Sequence, residues 1–138
     1  MAQAENFKLS IPSRLNLVRD TCLGILKKIE KFHLSESDLF DLRLCIEESL
    51  INAVKYGNKL DKNLKVDISV KVDENKVEVA ILDEGEGFNY NAVPDPTDNS
   101  NILKSSGRGV YLVRHLMDEV RFNDKGNQIT LVKYIKAH

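Results

Sequence analysis

Val77-Glu78-Val79-Ala80-Ile81-Leu82-Asp83-Glu84-Gly85-Glu86-Gly87 is a strand that runs straight into a turn. Val77, Val79 and Ile81 recur at every second position, the period of a half-buried strand. Val66, Ile68, Val70 and Val72 alternate in the same way, and Asp73, Glu74 and Asn75 between the two runs are turn formers, so the pair reads as a β-hairpin. Asp83 then stands at a strand end ahead of two glycines in the pattern Asp-x-Gly-x-Gly. A carboxylate fixed there can accept a hydrogen bond from an exocyclic amine such as adenine N6, and Gly85 and Gly87 allow the backbone to approach a flat ring closely. A turn in which Asp83, Gly85 and Gly87 serve backbone geometry alone explains the same letters.

Upstream, Phe7, Leu9 and Ile11 alternate with polar residues as far as Pro12, which predicts a short first strand. Ser13 is placed to cap a helix in which Leu15, Val18, Cys22, Ile25, Leu26 and Ile29 form the apolar face, while Arg14, Arg19, Lys27, Lys28 and Lys31 form the other. A second helix is expected from Ser35, with Asp38 three residues on as a capping-box partner, to Gly57 as a left-handed terminator. Its main apolar stripe is Leu39, Leu42, Ile46, Leu50 and Ala53, but Leu44 and Ile51 lie nearly opposite, the mark of a helix buried on two sides. Downstream, residues 89–106 are rich in Asn, Asp, Ser and Pro, the composition of a long loop that could act as a lid. A helix is expected after Gly109, then strands around Val120–Phe122 and from Ile129 to Ile135, joined by the turn Asn123–Asn127. Strand, helix, helix, hairpin, loop, helix, hairpin is an α+β order: a two-layer α/β sandwich with a mixed, mostly antiparallel sheet and its helices on one face.

The chain has 138 residues, a length that suits one domain spanning 1–138. Its charged fraction is 30% with a formal net charge of −1, so no global field draws it to nucleic acid or an anionic membrane. No apolar run is long enough to span a bilayer and the N-terminal residues lack a signal-peptide pattern, which predicts a cytoplasmic protein. Cys22 and Cys45 fall in helical apolar patterns without zinc-ligand spacing and read as reduced core residues.

Two further clusters carry chemistry. On a helix Glu48 and Asn52 are offset by about 40° and share a face, whereas Glu47 and Asn52 are about 140° apart. A carboxylate beside an amide oxygen suits a site where the amide binds Mg²⁺ and the carboxylate accepts a proton, although a solvated Glu and a helix-end Asn would look the same. Gly107-Arg108-Gly109 directly precedes the expected third helix, where backbone N–H groups and the helix dipole can hold phosphate and Arg108 can add a direct contact. Ser105 and Ser106 offer a plainer explanation, an ordinary helix start, and the Gly-x-x-x-x-Gly-Lys-Ser/Thr phosphate loop is absent.

Glu48 through Asn52 to Gly57, Asp83 through Gly87 to Phe88, and Gly107 through Gly109 to Asp118 together resemble the N, G1 and G2 boxes of the GHKL (Bergerat-fold) ATPases. Within these, nearly the whole chain is similar to the anti-sigma-factor serine/threonine kinases of bacterial partner switching. The resemblance implies Mg·ATP as ligand, with Glu48 as catalytic base or orienter and Asn52 as Mg²⁺ ligand. It implies further that Asp83 contacts adenine, that Gly85 and Gly87 shape the base pocket, and that Gly107, Arg108 and Gly109 lie at the phosphates beneath a lid at 89–106. It also implies a serine/threonine kinase that sequesters a sigma factor and phosphorylates an anti-anti-sigma (STAS) protein, with a homodimer within the group's repertoire. The alternative is a partner-capture regulator of the same fold that does not turn over. A detached histidine-kinase catalytic domain would share the fold, but His33, His115 and His138 lack a phosphoacceptor context. The resemblance makes the outward face with Arg14, Arg19 and Lys27 a candidate partner surface, although an ordinary solvated helix face would carry the same residues.

Overall fold

The computed structural model describes residues 3–86 and 105–135. Five strands, β1 (Glu5–Pro12), β2 (Lys65–Val72), β3 (Lys76–Leu82), β4 (Glu119–Phe122) and β5 (Gln128–Tyr134), form one sheet in the order β1-β2-β3-β5-β4. Every pairing among the described strands is antiparallel, so the mixed sheet expected from the sequence gives way to a uniformly antiparallel one. The reason is connectivity: hairpins join β2 to β3 and β4 to β5, and β1 returns against β2 without a parallel crossover. Registers such as Val70↔Val79 and Val79↔Leu131 align the apolar residues of successive strands on one face. Val66, Ile68, Val70, Val72, Val77, Val79 and Ile81 are all buried, while Asp67, Lys71 and Lys76 between or beside them are exposed.

Helices α1 (Val18–Ile29), α2 (Glu36–Asn52) and α3 (Ser105–Leu116) supply the second layer. Helix α2 is central: it packs against α1, α3 and strands β3 and β5, which is the physical reason for its apolar residues on two sides. Leu42, Cys45, Ile46 and Leu50 are fully buried there. Cys22 and Cys45 are free, buried thiols, each pushed up to about 12 chiefly by burial, as befits packing residues and not nucleophiles.

Helix ends differ from expectation in four places. Ser13 does not cap α1; its hydroxyl donates to the Leu64 carbonyl at 2.7 Å, and a 3₁₀ turn at Leu15–Leu17 leads into the helix. Ser35 does cap α2, accepting the Asp38 N–H at 3.0 Å, but the Asp38 carboxylate turns to Lys133 instead of reaching back. Gly57 is not a left-handed terminator: the helix widens into a π turn over Ala53–Gly57, and the left-handed residues are Lys59 and Leu60. Helix α3 begins at Ser105, so Gly107, Arg108 and Gly109 belong to its first turns and do not precede it. Residues 89–104 of the expected lid, and Gly87, lie outside the described residues, while 105 and 106 are helical.

Candidate nucleotide site

The end of α2 and the end of β3 meet at two glycines. A Cβ on Gly57 would lie 2.3 Å from Asp83 Oδ2, and a Cβ on Gly85 would lie 2.1 Å from the Gly57 carbonyl oxygen. A Cβ at Gly57 would displace the Asp83 carboxylate, and one at Gly85 would meet backbone, so this arrangement of Asp83 requires glycine at both places. The π turn accounts for the approach: a widened final turn of α2 delivers the Gly57 backbone onto the Asp83 carboxylate.

Asp83 is held on several sides. Its own N–H donates to the Asn127 carbonyl at 2.9 Å, and its carbonyl accepts from Asn127 Nδ2 at 2.9 Å. Its Oδ1 accepts the Gly85 N–H at 2.8 Å, which leaves Oδ2 with acceptor capacity. Asn127 is fixed in turn by Asn123, whose Oδ1 gathers the N–H groups of Gly126, Asn127 and Gln128 at 2.8, 3.0 and 3.1 Å around the positive-φ Gly126. Half-burial raises the Asp83 pKa, opposed by the Gly85 N–H and by the Lys125 charge. A desolvated carboxylate with one oxygen committed and a glycine floor beside it is suited to accept from an amine on a flat ring.

Glu48 and Asn52 lie one turn apart on α2, both half-buried, with Asn52 as its last α-helical residue. Between them Ser49 is 3% exposed, and its hydroxyl has no partner among the described residues. Helix α3, whose first turns contain Gly107 and Gly109, packs on α2 as an element; the side chain of Arg108 falls outside what is described. Gly57 therefore joins the first and second clusters directly, and α3 joins the third to them through α2. Among the described residues no group of three or more His, Cys, Asp or Glu could hold a metal by itself. A separate groove of about 440 Å³ at the far end of α3, lined by Arg114, Met117, Asp118, Val120, Arg121 and Phe122, contains none of these residues.

Sequence reasoning overlooked Asn58, Asn127 and the contact role of Gly57. Asn123–Asn127 was legible as a turn, and Gly57 as a helix end, but nothing in their spacing reveals that both close on Asp83.

The profile of the family described as "Histidine kinase-like ATPase domain" matches residues 11–133. Serine-protein kinase RsbW of Staphylococcus aureus (strain MSSA476) is 28% identical over 148 aligned positions, covering 99% of this chain and 91% of that protein. The RsbW of Bacillus subtilis (strain 168) is 29% identical over 144 positions, covering 97% and 88%. A crystal structure of the RsbU and RsbW domains of Rv1364c from Mycobacterium tuberculosis superposes with a TM-score of 0.60 at 16% identity, over 96% of this chain and 32% of that one, a likeness of fold. The match over residues 11–133 includes the Glu48–Gly57 helix end, the Asp83–Gly85 turn and the start of α3, and the chain belongs to the histidine kinase-like ATPase family.

Proposed function

We propose that this chain is a serine/threonine protein kinase that moves the γ-phosphoryl group of ATP to a Ser or Thr hydroxyl of an anti-anti-sigma (STAS) protein, and that it holds a sigma factor inactive until that partner intervenes. The observation that carries the nucleotide reading is the cradle of Gly57, Asp83 and Gly85: a half-buried carboxylate with one oxygen free, held in a place that a Cβ on either glycine would disturb. The RsbW likeness over nearly the full chain supports the protein-kinase and partner assignments.

In this reading Asp83 accepts a hydrogen bond from the exocyclic amine of adenine, and Gly85, with Gly87 beyond it, gives the ring backbone-close access. Asn52 offers its amide oxygen to Mg²⁺, a hard donor for a hard ion. Mg·ATP when bound supplies the transferable phosphoryl group and the cation that offsets its charge. Glu48, one turn back on the same face, orients the attacking hydroxyl and takes its proton. The first turn of α3 offers its free backbone N–H groups, that of Gly107 among them, and the positive end of the helix dipole to phosphate, with Arg108 and Gly109 directly behind. Residues 1–138 act as one domain in the cytoplasm, with a homodimer within the repertoire of the group. No helix among the described residues is long and apolar enough to cross a membrane. The exposed Arg14, Arg19 and Lys27 form the partner-facing surface.

The test separates binding from transfer. Calorimetric titration with ATP and GTP, with and without Mg²⁺, is expected to show Mg²⁺-dependent preference for ATP that Asn52→Ala removes. Glu48→Ala should retain ATP binding while phosphate transfer to the cognate partner falls about 10²- to 10⁴-fold. Transfer unchanged in Glu48→Ala would remove that residue from catalysis, and ATP binding without transfer by the wild type would leave a partner-capture regulator.

A further inference from the structure

Asn58 follows the π turn and is 1% exposed. A buried amide is costly unless its donors and acceptor are all used, and here they are. Nδ2 donates to Ser13 Oγ at 2.8 Å and to the Lys65 carbonyl at 3.0 Å, and Oδ1 accepts the N–H of Glu84 at 2.8 Å. The Glu84 carboxylate returns to the N–H of Lys65 at 2.5 Å, which closes a ring of Asn58, Glu84 and Lys65. Glu84 is the residue between Asp83 and Gly85, the two whose placement makes the cradle. From the β4–β5 turn Asn127 bonds both the N–H and the carbonyl of Asp83, and Asn58 takes the N–H side of the same Asp83–Glu84 peptide whose carbonyl Asn127 holds.

We propose that Asn58 is a positioning residue for base recognition: by fixing the Glu84 peptide it keeps the Asp83 carboxylate and the Gly85 backbone in the one setting that distinguishes adenine from guanine. The proposal rests on the reading that Asp83 takes the base. An apolar side chain could fill the same buried space, but only an amide links the β1–α1 corner at Ser13, the start of β2 and the Glu84 N–H at once. Displacing a recognition group by about 1 Å can cost on the order of 10²-fold, so a slack Glu84 peptide acts on the base contact and leaves Glu48 and Asn52 on α2 undisturbed.

The readout is the ratio of GTP to ATP dissociation constants, measured by competition on the full chain. Partial unfolding lowers both apparent affinities by the same factor and leaves this ratio unchanged, so a merely structural role for Asn58 does not move it. Asn58→Ala is expected to shrink the ratio by about tenfold or more, chiefly through weaker ATP binding. Asn58→Asp, which keeps an acceptor for Glu84, should retain more of the ratio than Asn58→Ala. Should Asn58→Ala fail to fold, Asn58→Ser, too short to reach Glu84, makes the same measurement in a pocket that keeps a hydroxyl. Faster hydrogen exchange at the Glu84 amide should accompany the loss in either variant. A folded Asn58→Ala or Asn58→Ser with the wild-type ratio overturns the proposal. A wild-type protein without preference for ATP over GTP would overturn the reading of the site, and the proposal with it.

Discussion

At Asp83 the needs of binding and of stability oppose one another. Burial raises its pKa in the folded chain above the ordinary 3.8. A carboxyl with a raised folded pKa contributes stability that is fully present below the unfolded pKa and is lost as pH rises through the folded one, so at neutral pH its charge weighs against the fold. Asp83→Asn keeps the size and an oxygen for the Gly85 N–H. Its melting temperature is expected to equal or exceed that of the wild type at pH 7, with the difference shrinking toward pH 4 and adenine recognition lost throughout; a variant less stable at pH 7 than at pH 4, relative to wild type, would contradict this. ATP affinity of the wild type should likewise fall on acidification at a pH above the usual aspartate range. The two glycines offer a second contrast. In Gly57→Ala the new methyl meets the far end of the Asp83 side chain, which can swing away, so the fold should survive while ATP binding is lost. In Gly85→Ala the methyl meets the Gly57 carbonyl, backbone against backbone, and unfolding by denaturant should show a loss of about 1–3 kcal/mol as well.

Among the elements, α2 and α3 hold the proposed catalytic and phosphate-binding residues, and one largely buried cation contacts both. Lys133 on β5 has a side chain 11% exposed; its ammonium donates to the Leu116 carbonyl at 2.8 Å and lies 3.7 and 3.5 Å from Asp38 and Asp41. It satisfies a carbonyl at the end of α3 while pairing with the first turns of α2, so it sets how the two helices sit against each other. Lys133→Met should lower the urea midpoint at unchanged slope, a loss of about 1–3 kcal/mol in stability, and speed hydrogen exchange in the last turn of α3; an unaltered midpoint would make the contact dispensable. None of this was legible beforehand, because Lys133 is 17 residues from Leu116 and 92 from Asp41. The strands were legible, since Val66–Val72 and Val77–Ile81 declare their period locally and burial on one face enforces it. The Ser35 cap of α2 was legible as well, but the other helix ends were not, because tertiary contacts decide them: the Ser13 hydroxyl is claimed by Leu64, and the π turn at the end of α2 lies against Asp83. The same holds for Asn58, whose partners lie 45, 26 and 7 residues away. Asp83 and Gly85 could be nominated from their pattern, whereas the residues that hold them in place could not.

For the whole molecule, ligand binding and fold stability are linked through the contacts that close the site. The Gly57–Asp83–Gly85 cradle joins the end of α2 to the end of β3, and the Asn58 and Asn127 bonds join it to β2 and to the β4–β5 turn, so a nucleotide seated there contacts elements from both layers. Binding to the folded chain alone stabilises it by about 2.7 kcal/mol at a ligand concentration 100 times the dissociation constant. For a chain of 138 residues, at about 2–4 °C per kcal/mol, this corresponds to a melting temperature raised by roughly 5–10 °C. Mg·ATP is expected to produce this shift by scanning calorimetry, GTP at the same concentration a far smaller one, and ATP with chelator an intermediate or null one if Asn52 acts through the metal. The net charge of −1 gives no long-range attraction for a tetra-anionic nucleotide, so the shift has to come from short-range contacts and should survive moderate salt. An equal response to ATP and GTP would mean that phosphate contacts dominate and that Asp83 does not read the base. A shift that vanishes in 0.2 M salt would place the binding in surface electrostatics, away from the cradle altogether.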